Sequence, residues 1–148
     1  MEDWMQILGL RVLQASGKEV VAEYDAEPKH HQPYGIVHGG VHCSVVESVC
    51  SIGAGIEARS RGCGIVGIEN HTSFIRAVRS GRISVRATPI SQGRRAQLWE
   101  ATARDEEGRV VCTGRVRLLS IEKDSNLAGE QLSVKNPAQL DEKSGSED

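Results

Sequence analysis

Two features of this 148-residue chain could do chemistry. The first is the run His38-Gly39-Gly40, directly before a stretch with helical periodicity. Glycines there let backbone come close to a ligand, and the first N–H groups of a helix have no partner inside it. With the positive end of the helix dipole behind them, they suit an oxyanion or a polarised carbonyl oxygen. The second is Glu47, two helical turns past Gly40, or about 10 Å along the axis at 1.5 Å per residue. A carboxylate in an otherwise apolar helix is costly to bury unpaired, and such groups serve as bases or nucleophiles. Each feature also has a plain structural reading: a glycine pair easing a loop into a helix, and a glutamate facing water. Spacing by itself leaves both open.

The elements that must hold these groups follow from periodicity. Val41, Val45, Val49, Ile52 and Ile56 recur at intervals of four and three, which predicts a helix over 41–58. Its β-branched residues and Gly53 and Gly55 are poor helix formers, so it needs burial on more than one side. Glu47 falls opposite the apolar stripe, among the small residues Cys43, Ser44, Cys50, Ser51 and Ala54. Asp3 can cap a short helix over 4–8 that ends at Gly9. Strands are expected at 10–14 and 19–25, then, past a loop at 26–34 and the helix, at 65–75, 82–90, 97–104 and 110–121. Alternation puts Val20, Ala22 and Tyr24 on one face, likewise Ile83, Val85 and Ala87, then Trp99, Ala101 and Ala103, then Val110, Cys112, Val116 and Leu118. Two strands, a helix and four strands in a meander predict an α+β fold, one long central helix packed on a six-stranded antiparallel sheet. The domain is expected to occupy 1–122, with 123–148 a polar, acidic, mostly disordered tail.

Composition narrows the function classes. The net charge is −2 and aromatic residues are 3%, which argues against a nucleic-acid partner. No run reaches the roughly 20 apolar residues needed to span a bilayer, and no basic-then-apolar leader is visible, so no membrane partner and a cytoplasmic location are expected. Cys43, Cys50, Cys63 and Cys112 have no paired spacing and read as reduced thiols. His38 and His42 are spaced i, i+4, but His38 precedes the helix and no acid follows it directly, so no metal is expected. Ten arginines and no lysine lie between positions 76 and 117; arginine suits phosphates and carboxylates, although most should simply face solvent.

The run from Gly35 to Gly40, with Glu47 nine residues after His38 and Asn70-His71-Thr72-Ser73-Phe74 in the strand after the helix, resembles the hotdog-fold thioesterases. The likeness is to the 4-hydroxybenzoyl-CoA and phenylacetate-pathway branch and covers residues 3–122. It implies an acyl- or aroyl-coenzyme A thioesterase with no cofactor, coenzyme A arriving as part of the substrate. In that reading Glu47 is the nucleophile or general base, and the Gly39 N–H polarises the carbonyl. Gln32 and His38 shape the site, and Ser51 positions water or the acyl group. Gly40, His71, Thr72, Ser73, Arg76, Arg79, Gly93, Arg94 and Arg95 would contact substrate or coenzyme A. Ser51 stands where that branch often has threonine, which bears on pocket size. The resemblance also implies a site between two protomers, hence a homodimer as the minimal unit and a homotetramer beyond it. The alternative is a non-catalytic acyl-CoA-binding or regulatory module of the same fold.

Overall fold

The computed structural model describes residues 3–133. Asp3 caps the short helix α1 (Trp4–Leu8) through reciprocal hydrogen bonds with Gln6, and Gly9 ends it in the left-handed conformation. Strands β1 (Arg11–Ala15) and β2 (Val20–Ala26) follow, then a 3-10 turn at Pro28–His30 within the expected loop. Helix α2 (Gly39–Ser60) and strands β3 (Cys63–Phe74), β4 (Gly81–Gln92), β5 (Ala96–Arg104) and β6 (Val110–Glu122) complete the expected order. Six strands form one antiparallel sheet, and α2 packs across it.

The strand order is β1-β2-β4-β5-β6-β3, which corrects the simple four-strand meander. Only β4, β5 and β6 meander, while β3 pairs with β6 and forms the far edge. The helix explains the jump. Its 22 residues are about 33 Å long, enough to carry the chain across a sheet whose strands lie about 4.8 Å apart.

Alternation sets the core. Val20, Ala22, Tyr24, Ile83, Val85, Ala87, Trp99, Ala101, Ala103, Cys112, Val116 and Leu118 are all buried. Val110 departs from its expected face. An irregularity in the β5–β6 pairing buries Val111 and Cys112 together and leaves Val110 half-buried.

Val45, Val49, Ile52 and Ile56 of the α2 stripe are buried as expected, Val41 is half-buried, and Val46, Cys50, Gly53, Ala54 and Gly55 join the core. The Trp99 indole fills the space where a Gly53 side chain would stand. Its Nε1 donates to Gln97 Oε1 at 2.9 Å, and Gln97 Nε2 donates to the Ala54 carbonyl at 3.1 Å. Burial on several sides thus offsets the weak helix propensity. By length and composition α2 could cross a membrane, contrary to the reading that no segment could, but most of it is buried as the core helix.

All four cysteines are free. Past β6, residues Asn126–Leu127 (β7) and Glu130–Gln131 (β8) form a hairpin within the stretch expected to be mostly disordered. Ala128 and Gly129, both at positive φ, make the tight turn such hairpins favour. Residues 134–148, the remainder of that expected tail, lie outside the described residues.

Candidate active site

Helix α2 starts where His38 caps it, its Nδ1 accepting the Gly40 N–H at 2.8 Å. His38 therefore organises the helix start, and the Gly40 N–H is engaged. The Gly39 N–H has no partner in the backbone hydrogen-bond network. Glycine is required at 39 from within, because the Phe74 ring stands where a side chain would project. Gly39 borders a cleft of about 230 Å³ with Gln32, Ile36, His42, Phe74 and Arg76. Gln32 Oε1 accepts the Tyr34 N–H at 2.6 Å, which leaves the amide nitrogen of Gln32 for the cleft.

Glu47 is half-buried, two turns along α2. Its Oε2 accepts from Asn70 Nδ2 at 2.9 Å, and the same nitrogen donates to the Cys43 carbonyl at 3.0 Å. Thr72 Oγ1 donates to Asn70 Oδ1 at 2.7 Å, fixing the amide's orientation. Gly67 lies beneath the carboxylate, where any side chain would overlap it. A shift in the β3–β6 register between Gly67 and Glu69 resets the alternation, so Gly67 and Asn70 both serve the helix side. Glu47 and Ser51 line a second cleft of about 790 Å³ that runs along α2 past Ser48, Ile52 and Gly55. Trp4, Met5, Ile65 and Leu132 wall it.

The residues expected to form one site thus fall into groups. Gln32, Gly39 and Arg76 share the smaller cleft, and Glu47 with Ser51 the larger one. His38 and Gly40 build the helix cap. Thr72 supports Asn70, while His71 and Ser73 alternate onto the other, exposed side of β3. Arg79 Nη1 donates to the carbonyls of Tyr34 at 2.8 Å and Gly35 at 3.0 Å, bracing the loop before the helix. Gly93, Arg94 and Arg95 turn β4 into β5 near the other end of α2, where Arg61 Nη1 donates to the Gly93 carbonyl at 3.1 Å. Within one chain, then, Gly39 and Glu47 border separate clefts. Three residues had no assigned role in the sequence reading: Gly67, Asn70 and His42. Asn70 was legible as a lone amide in a strand; Gly67 and His42 gave no signal without the packing.

Burial also shapes the titration of the site's neighbours. It pushes the Cys50 thiol up and that of Cys112 to about 12, so neither is a ready thiolate. It pushes His42 down to about 4.

Residues 34–112 match the family model described as the thioesterase superfamily. The chain belongs to that family. It is a thioester hydrolase of the hotdog fold. A Mycobacterium tuberculosis protein that carries an esterase name is 41% identical over 117 residues, 78% of this chain and 84% of that one. The proofreading thioesterase EntH of Cronobacter turicensis is 32% identical over 109 residues, 74% of this thioesterase and 79% of EntH. The solved structure of the M. tuberculosis protein aligns with a TM-score of 0.79 at 39% identity, covering 80% of this chain and 96% of that one. The thioesterase HI1161 of Haemophilus influenzae aligns at 0.73 with 30% identity, covering 80% and 82%.

Proposed function

We infer that this thioesterase hydrolyses an acyl- or aroyl-coenzyme A, with Glu47 as its catalytic carboxylate. The observation that carries the reading is a half-buried carboxylate, oriented by Asn70, at a roomy cleft whose walls are largely apolar. An acyl chain or aromatic ring suits those walls. Glu47 either adds to the thioester carbon, giving an anhydride that water opens, or deprotonates the attacking water. Both routes need the carbonyl oxygen held elsewhere, and the unpaired Gly39 N–H at the helix start is suited to hold it.

Two copies reconcile the separate clefts. Antiparallel pairing of β3 with its own copy, centred between Asn70 and His71, brings Phe74 level with the partner's Gly67. Gly39 lies against Phe74 and Glu47 lies over Gly67, so the carbonyl donor of one chain approaches the carboxylate of the other. A homodimer is then the smallest active unit, and a homotetramer a pairing of dimers. Arg76 in the small cleft and Arg94 and Arg95 in the β4–β5 turn are suited to the phosphates of coenzyme A. The cytoplasm, where coenzyme A thioesters are made and used, fits this reading.

A panel of acyl- and aroyl-coenzyme A substrates followed by thiol release tests it. Glu47→Gln and Glu47→Ala are expected to lower kcat by at least about 10²-fold. Near-normal turnover by either variant, or binding of the whole panel without thiol release, overturns the assignment.

A further inference from the structure

His42 has no part in the hydrolysis as described so far. It lies one turn into α2 and is 4% exposed, and its Nδ1 is sealed from solvent without a hydrogen-bond partner. Buried polar nitrogens rarely go unpaired, because desolvation without a bond is costly. The ring tilts against Phe74, centroids 5.9 Å apart, and borders the same small cleft as Gly39 and Gln32. Helical side chains lean toward the N-terminus, which directs His42 at the turn that presents the Gly39 N–H. Burial keeps the imidazole neutral at pH 7, so it carries one N–H and one bare nitrogen.

We propose that His42 is a second hydrogen-bond donor to the thioester oxygen, sharing it with the Gly39 N–H. This rests on the hydrolase reading above. The proposal places the proton on Nε2, the ring nitrogen that is not sealed in the core. When the nucleophile adds to the carbonyl carbon, the C=O π pair moves onto oxygen, and both N–H groups stabilise that charge. As the pair returns, the C–S bond breaks and the thiolate leaves to take a proton from water. His42 neither gains nor loses a proton in the cycle.

The test is hydrolysis of benzoyl-coenzyme A. His42→Phe keeps a ring of similar size and removes the donor. The expected result is a kcat lower on the order of 10²-fold with KM little changed, and partial recovery in His42→Asn, which keeps a donor. Should His42→Phe fail to fold, the wild-type dimer labelled with ¹⁵N-histidine gives the answer. Binding an analogue with an unreactive ketone in place of the thioester must then move the His42 N–H proton resonance downfield. A folded His42→Phe with wild-type kcat, or an unmoved resonance, overturns the proposal. If Glu47→Gln is inactive while His42→Phe is normal, only the second donor is lost; an active Glu47→Gln removes instead the assignment of Glu47 as the catalytic carboxylate.

Discussion

The two edges of the sheet are built differently. Strand β1 is short, five residues with a register shift, and its Arg11 holds Glu23 at 3.0 Å and Asp25 at 2.9 Å on the neighbouring strand. Such features keep an edge from pairing with other chains. Strand β3 runs for twelve residues, is exposed along most of its length and, His71 aside, carries Glu69 as its one acidic or basic side chain. A long, weakly charged edge is a template for another strand. One edge is finished against water and the other is open, the edge assigned to the proposed homodimer, with the proposed catalytic residues along it. The buried histidines repeat the contrast. On the β1 side, His30 accepts the Glu27 N–H at 3.0 Å and bonds the Leu8 carbonyl at 3.0 Å, its ring edge-on to Tyr24. On the β3 side, His42 has an orphaned nitrogen.

The sharpest way to break this comparison is a matched pair of charges. Ile68 on β3 is 55% exposed and Leu13 on β1 is 50% exposed. Ile68→Glu is expected to split the dimer and lower thiol release by at least about 10²-fold, because it puts an unpaired charge into the contact. Leu13→Glu should leave both unchanged. Light scattering and the thiol assay read both variants, and equal behaviour would mean that the edges are equivalent. Asn70→Ala removes the amide that aims Glu47, and kcat should drop between about tenfold and 10²-fold with the dimer intact.

Acid titration probes the histidines. Burial lowers the pKa of both His30 and His42 in the folded chain, the latter to about 4. A histidine depressed on folding contributes stability in full above its unfolded value, about 6.5, and loses it as pH falls toward the folded value. The melting temperature should therefore decline between about pH 6.5 and pH 4, and His42→Phe should flatten part of that decline. An identical slope in the variant would show that His42 is not buried as a neutral ring. Smallest of all, Arg11→Ala should barely shift the melting temperature, since its ion pairs are solvent-exposed.

Much of the fold was legible because burial writes itself into local patterns. Alternation in 82–90 and 97–104 marked the core faces of β4 and β5, and the four-three spacing of Val45, Val49, Ile52 and Ile56 marked α2. What stayed illegible depends on partners distant in sequence. Nothing in 65–75 announces that β3 pairs with β6, because an edge is defined by the strand that is missing beside it. Val111 entered the core through a pairing irregularity, which alternation cannot foresee. In the site, Glu47 stood out as an acid set among small and apolar residues in the middle of α2. His38 as the cap, Gly67 as the floor under the carboxylate and the orphaned nitrogen of His42 required packed coordinates. The hairpin at 126–131 was missed because its turn, Ala128-Gly129, lacks the usual Asn-Gly or Asp-Gly signal.

The Phe74 ring wedged against Gly39 fastens the outermost strand to the first turn of the central helix. Whatever presses on that strand is felt at the Gly39 amide, the proposed donor to the thioester oxygen. In the proposed homodimer, docking of a second copy would therefore bear on the aim of that amide as well as on the shape of the cavity.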